Sequence, residues 1–250
     1  MTAAFVRSAS VWLGLVLSSL PVPPALAQTA GSAAQGGGLS VAPVQLTLAE
    51  GTRSSSTIVS NPGNGPVTVQ VRLFSWTMAG DEEVYTPATD AGFSPPLFHL
   101  EAGGTQAVRV VAKAPAGPVE RSYRLVIDQL PLAGAPGQLQ LPVRMILPVF
   151  IAPAAGVSRS PQLEWSARRN PKTNQITLSV KNRGAVHAKF VELAVEDGAK
   201  SVVIAPGLAG YALAGQERSW TYTPTTPAKT LALTVHEGGK LLRASVPLTQ

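Results

Sequence analysis

Gln138-Leu139-Gln140-Leu141-Pro142-Val143-Arg144-Met145-Ile146-Leu147-Pro148-Val149-Phe150-Ile151 is the stretch on which the reading of this chain turns. Its odd positions are all apolar, and its even positions mix Gln, Pro and Arg with Ile146 and Phe150. Successive side chains of a strand point to opposite faces, so the pattern is a strand with one continuous apolar face and one mixed face. Pro142 and Pro148 have no amide hydrogen to donate, which puts the strand at a sheet edge or a bulge. A long apolar edge invites aggregation and is normally selected against. It makes sense where another chain is meant to pair with it.

Working outward, short β-branched runs at 39–48, 55–61, 67–76, 97–100, 106–112 and 122–130 precede this strand and complete a seven-strand set. Turn chemistry divides them, notably Asn61-Pro62-Gly63-Asn64-Gly65 and Ala102-Gly103-Gly104. The chain holds 23 Gly and 22 Pro, and apolar spacing of helical period is almost absent, the pattern of antiparallel sandwiches. Pro153-Ala154-Ala155-Gly156 interrupts the pattern, and a second set of strands follows at 175–182, 188–196, 217–222, 230–236 and 241–247. The expected organisation is a first sandwich over 39–153, a hinge over 154–161 and a second sandwich over 162–250. Thr57-Ile58-Val59-Ser60-Asn61-Pro62-Gly63 is echoed by Leu178-Ser179-Val180-Lys181-Asn182-Arg183-Gly184. Two related modules or convergent turn chemistry explain that echo about equally.

The amino end carries Arg7, an apolar run over 11–20 and Ala25-Leu26-Ala27, a small-x-small cleavage pattern. The expectation is a signal peptide over 1–27, an exported mature chain with no membrane insertion after cleavage, and a disordered Gln/Ala/Gly/Ser leader over 28–38. The net charge of +6 is spread along the chain, which permits acidic partners and equally suits a basic soluble surface. The absence of cysteine removes disulfides, thiol nucleophiles and thiolate metal sites.

Motifs for catalysis or phosphate binding do not occur. His99, His187 and His236 are far apart and read as surface or structural residues, so neither a metal nor another cofactor is expected. Asp81-Glu82-Glu83 reads as a solvated turn rather than a Ca²⁺ site. Basic residues do not interleave with aromatics, and no nucleic-acid partner is expected.

Ser122-Tyr123-Arg124-Leu125-Val126-Ile127-Asp128-Gln129-Leu130-Pro131 and Leu147-Pro148-Val149-Phe150-Ile151 resemble the last two first-domain strands of the PapD-like pilus chaperones, within them the archaic subset. Val69-Gln70-Val71-Arg72-Leu73-Phe74-Ser75-Trp76, Ser94-Pro95-Pro96-Leu97-Phe98-His99-Leu100, Lys181-Asn182-Arg183-Gly184 and Gly210-Tyr211-Ala212-Leu213-Ala214-Gly215 extend the resemblance over nearly all of the mature chain. The resemblance implies an all-β fold of two immunoglobulin-like sandwiches set at an angle, located in the periplasm and catalysing no reaction. It implies partners of two kinds: pilus subunits with an incomplete immunoglobulin-like fold, and an outer-membrane usher. It further implies donor-strand complementation, in which Leu139, Leu141, Val143, Met145 and Leu147 fill the subunit's groove. A pair of basic residues in the cleft between the domains would anchor the subunit's terminal carboxylate. Gln45 stands about where that family has an arginine, which leaves Arg124 and Arg144 as the candidate anchor. The alternative function is an exported two-module adhesive or carbohydrate-binding protein, although Trp76, Trp165 and Trp220 lie in strand contexts that favour core roles.

Overall fold

The computed structural model describes residues 38–131 and 141–250, and among them every regular element is a strand. The expected signal peptide, most of the expected leader, and Leu139 lie outside the described residues. The first set is β1 (Ser40–Ala42), β2 (Leu46–Leu48), β3 (Ser54–Ser60), β4 (Val67–Ala79), β5 (Glu82–Pro87), β6 (Ala91–Ser94), β7 (Leu97–Leu100), β8 (Thr105–Ala112), β9 (Arg121–Leu130) and β10 (Arg144–Ile151). They form two sheets, one ordered β1-β3-β8-β6 and the other β2-β10-β9-β4-β5, with β7 also on β4. The second set is β11 (Leu163–Arg169), β12 (Ile176–Asn182), β13 (Ala188–Asp197), β14 (Lys200–Ala212), β15 (Glu217–Tyr222), β16 (Thr230–Glu237) and β17 (Lys240–Thr249). Their order is β14-β13-β16-β17-β11-β12-β15, and β17 closes the set by pairing β16 along its length and β11 at Leu248 and Thr249.

Each set buries its own core. Val67, Val69, Val71 and Leu73 on β4 meet Tyr123, Leu125 and Ile127 on β9 and Leu147, Val149 and Ile151 on β10, all odd-numbered positions facing inward. The second core gathers Ile176, Leu178, Val180, Phe190, Leu231, Leu233 and Val235 around Trp220, which lies 5.8 Å from the Phe190 ring. Among the strands that depart from the sequence reading are β5 and β14. β5, with all six residues exposed, begins inside the acidic triplet expected to be a turn. β14 spans thirteen residues and contains Pro206, Gly207 and Gly210, turn signals that an edge strand tolerates because one of its sides has no ladder to break.

The internal echo is a shared structural device. Asn61 and Asn182 are both fully buried, and each ties a strand end into the same knot. Asn61 Oδ1 accepts the Gly63 amide at 3.0 Å while its Nδ2 donates to the Gly65 carbonyl at 2.8 Å. Asn182 Oδ1 accepts the Gly184 amide at 2.9 Å while its Nδ2 donates to the Val186 carbonyl at 2.7 Å. The offsets, two residues on for the acceptor and four for the donor, are identical. Nδ2 also reaches across to a neighbouring strand, to Leu100 in the first knot and Ala212 in the second. Gly184 is required because an added Cβ would stand 2.7 Å from the Gln162 nitrogen and the Ser160 oxygen. Removing either amide strands buried carbonyls and N–H groups, each costing about 1–3 kcal/mol. Asn61→Ala and Asn182→Ala are therefore each expected to lower the midpoint of thermal unfolding by at least several degrees, measured by calorimetry, whereas Asn64→Ala in the exposed part of the same turn should leave it nearly unchanged.

Candidate functional site: the strand edge and the inter-sandwich cleft

β10 is paired along its whole length with β9, in an unbroken register from Arg144 opposite Asp128 to Ile151 opposite Arg121. On its other side β2 covers only Val149 to Ile151. The Val143 carbonyl accepts the Gln129 amide at 2.9 Å, and the Ala152 amide donates to Leu48 at 3.0 Å. Odd-numbered main-chain groups therefore face β9, and even-numbered ones face the β2 side. Pro148 and Pro142 are even-numbered, so the amide hydrogens they lack would have pointed away from β9. At Arg144 and Ile146 the N–H and C=O groups face the side on which the described residues supply no strand.

Burial changes steadily along the odd face. Ile151, Val149 and Leu147 are buried, Met145 and Val143 are half-buried, and Leu141 is 75% exposed. The expectation that Leu147 is open to a partner is corrected: at 3% exposure it belongs to the first sandwich's own core, with Met145 packed against that core from outside. The strand itself starts at Arg144, so Leu141 and Val143 precede it rather than lie within it.

The even face of the same sheet carries the contacts between the sandwiches. On β4 burial switches from odd to even positions at Trp76, because the second sandwich covers the even face there. Trp76, Phe150, Tyr211 and Leu213 form one small buried cluster. The Trp76 and Tyr211 rings meet edge-on at 5.3 Å, and His187 stacks on Phe150 at 3.6 Å while its Nδ1 bonds Glu120 at 2.7 Å. The Met78 amide donates to Gln216 at 2.6 Å, and Arg218 donates to the Asp81 carbonyl at 2.8 Å.

Arg124 lies in this cleft, with its guanidinium 3.6 Å from the centre of the Trp76 ring and 5.7 Å from that of Tyr211. It is 8% exposed, and its Nη2 donates to both carboxylate oxygens of Glu83 at 2.8 and 2.9 Å. Its Nε is buried without a hydrogen-bond partner among the described residues. Tyr85 also donates to Glu83, and burial first, then that hydrogen bond, raises the phenol's pKa and keeps it a donor. A separate cavity of about 230 Å³, lined by Trp76, Arg121, Tyr123, Leu213 and Gln216 among others, opens between the sandwiches. Its guanidinium, Arg121, is held by Asp90 at 2.7 Å.

Arg144 is elsewhere. It stands opposite Asp128, four positions from Arg124 along β9, or ~13 Å at about 3.3 Å per residue. Its Nε donates to Asp128 Oδ1, and Arg72 Nη2 holds Asp128 Oδ2 at 2.6 Å. Burial opposes ionisation of Asp128, but the bonds from Arg144 and Arg72 prevail and hold its carboxyl below the ordinary value. The expectation that Arg124 and Arg144 converge in the cleft is thus corrected. Alternation put both on one face, yet the register separates them. Gln45 is half-buried next to Leu46, the partner of Val149, and Arg124 flanks Pro148 from the opposite side. The sequence reading passed over Arg121, took Glu83 for part of a solvated turn and gave Tyr211 no role in the cleft, since each depends on a partner remote in the chain.

Residues 38–156 match the family described as pili and flagellar-assembly chaperone, PapD N-terminal domain. That family is one of chaperones, not enzymes. Solved structures share the fold. The CsuC–CsuE chaperone–tip adhesion subunit pre-assembly complex from archaic Csu pili of Acinetobacter baumannii contains a chain 20% identical, with TM-score 0.66, covering 85% of this chain and 100% of its own. The YadV chaperone is 16% identical with TM-score 0.62, covering 84% and 99%. A chain from the Salmonella enterica SafA pilin–SafB chaperone complex is 21% identical with TM-score 0.57, covering 85% and 97%. A comparison with curated proteins finds no match.

The aromatic cluster joins two cores that are otherwise separate, so its loss should uncouple them. Tyr211→Ala removes a ring packed on Trp76, Phe150 and Arg124, a change of about 3–5 kcal/mol when fully felt. Calorimetry of this variant is expected to show two separated transitions where the parent gives one, with the hydrogen-exchange protection of β12 and β16 retained.

Proposed function

We propose that the chain is a periplasmic chaperone that stabilises incomplete pilus subunits by lending them residues 141–146, the open start of β10 with the three residues before it, and delivers them to an outer-membrane usher. The observation that carries this reading is the burial gradient on one face of one strand. Leu147, Val149 and Ile151 serve the chaperone's own core, while Met145, Val143 and Leu141 emerge from it in turn on the same face. A subunit groove lying against that edge would continue the sheet, with backbone bonds to Arg144 and Ile146 and pockets for the odd side chains.

Burying each large aliphatic group contributes about 1.5–3 kcal/mol, so Leu141→Asn with Val143→Asn should weaken the complex roughly 10²- to 10⁴-fold. The free protein should lose little stability, because Leu141 is exposed and Val143 is only partly covered. Co-purification of the double variant with an exported pilus subunit checks this. Undiminished recovery, or a variant that unfolds alone, refutes the assignment.

Arg124 is the proposed anchor for the subunit's terminal carboxylate, and Arg144 is not. Arg124 neighbours β10 at Pro148, lies in the cleft, and keeps a buried Nε free to donate. In the free chain Glu83 occupies its Nη2, so a client carboxylate must take the place of this internal one. Glu83→Gln should accordingly raise affinity for a subunit with a free terminal carboxylate by about tenfold, the range of a charge-assisted hydrogen bond. The same variant should bind a subunit bearing a C-terminal amide no more tightly than the parent does. Equal gains for both forms, measured by calorimetric titration, would remove Arg124 from the anchor role.

A further inference from the structure

We infer that Asp128 is a positioning residue that holds the face of the donor segment. It does so by fixing Arg144 on the opposite side of the sheet from Val143 and Met145. The inference rests on the donor-strand reading above, but its geometry stands in the free chain.

Three adjacent strands meet at this carboxylate: Arg72 comes from β4, Asp128 from β9 and Arg144 from β10. The Asp128 side chain is 10% exposed and carries one arginine on each oxygen, whereas the Arg144 side chain is 62% exposed and gives up only its Nε. Asp128 is thus the buried hub, and Arg144 is an exposed arm tied down to it. Arg144 is the first residue of β10, with the proposed donor residues Val143 and Met145 on either side. Because side chains alternate, holding Arg144 on the even face keeps both neighbours on the odd face.

A slip of one residue would bring Val143 or Met145 to the outer face and turn Arg144 toward the core side, where a guanidinium would be desolvated without a partner. The clamp is placed where it is needed. Further along, β10 is fixed by the buried side chains of Leu147, Val149 and Ile151 and by β2. At Arg144 those constraints have ended, and beyond it the last ladder bond in this register among the described residues is the one from Gln129 to the Val143 carbonyl. The clamp works from the even face, leaving the odd side chains and the open backbone edge clear for a partner.

Backbone hydrogen exchange of the free, full-length protein, followed by mass spectrometry, tests the assignment without a client. Asp128→Asn should raise exchange in the peptide spanning 141–148 about tenfold or more, the effect of losing charge-assisted hydrogen bonds. Peptides from β8 and from β12 should be unchanged, and Asp128→Glu should restore most of the protection. Since Asp128→Asn could perturb β9 itself, Arg144→Gln provides the second variant: it alters an exposed side chain, leaves the Arg72 bond in place, and should give the same local rise. Unchanged exchange in Arg144→Gln overturns the clamp, as does a rise spread over both sandwiches in Asp128→Asn. If exchange rises locally while Leu141→Asn with Val143→Asn still recovers subunits, the clamp stands and the donor reading falls.

Discussion

The two-residue period of β10 is the constraint on which the rest of this molecule depends. One strand must satisfy a core on its odd side chains, a ladder on its odd main-chain groups, and an edge on its even ones. The ladder to β9 runs unbroken from Arg144 to Ile151, so no bulge resets the phase. The two prolines, at even positions, cost no bond to β9, and they withhold donors from an edge that could otherwise template aggregation. Among the described residues the open part of this edge lies over 141–146, where the apolar face leaves the core.

The outer face of the same sheet is organised as two patches spaced along β9. Around Arg124 it is covered by the second sandwich, and a cation there can persist only with a counter-charge and an aromatic face, which Glu83 and Trp76 supply. Around Asp128 it is not covered by the second sandwich, and arginines supply the counter-charge instead. On the proposed reading the patches differ in function because the hub differs in sign. A buried cation can meet an incoming carboxylate, whereas a buried carboxylate already saturated by two guanidiniums can only hold its neighbours.

Much of this was legible in the sequence wherever burial follows alternation. Val67, Val69, Val71 and Leu73 read as the inward face of a strand and are buried; the seven-strand estimate for the first sandwich undercounted only the short β2, β5 and β6. The Asn-x-Gly echo was visible, but its meaning was not, because a turn residue and a buried knot share one spelling. β14 was hidden by its own proline and glycines. The cleft was the least legible part. Trp76 read as an ordinary core residue, and Glu83 as part of a solvated turn, since nothing local reveals that a second sandwich covers one and that Arg124 reaches the other. The separation of Arg124 from Arg144 depends on the register between β9 and β10, which alternation does not specify.

Occupation of Arg124 by Glu83 bears on what an anchor of this kind can contribute. Exchanging one carboxylate for another leaves the charge of the buried site unchanged, so the large desolvation cost of the guanidinium is met before a client arrives and is not met again. The exchange therefore has a small net free energy, close to the difference between two similar hydrogen-bonded pairs. On the proposed reading affinity then comes chiefly from the apolar side chains that leave water, while the carboxylate exchange determines where along the edge the client stops. A terminal carboxylate can exchange only when it reaches the cleft, and with Arg124 fixed opposite Pro148 that requirement sets the client's position relative to Met145 and Val143. On the proposed reading, position and affinity are thus assigned to different ends of one strand, and each can vary without disturbing the other.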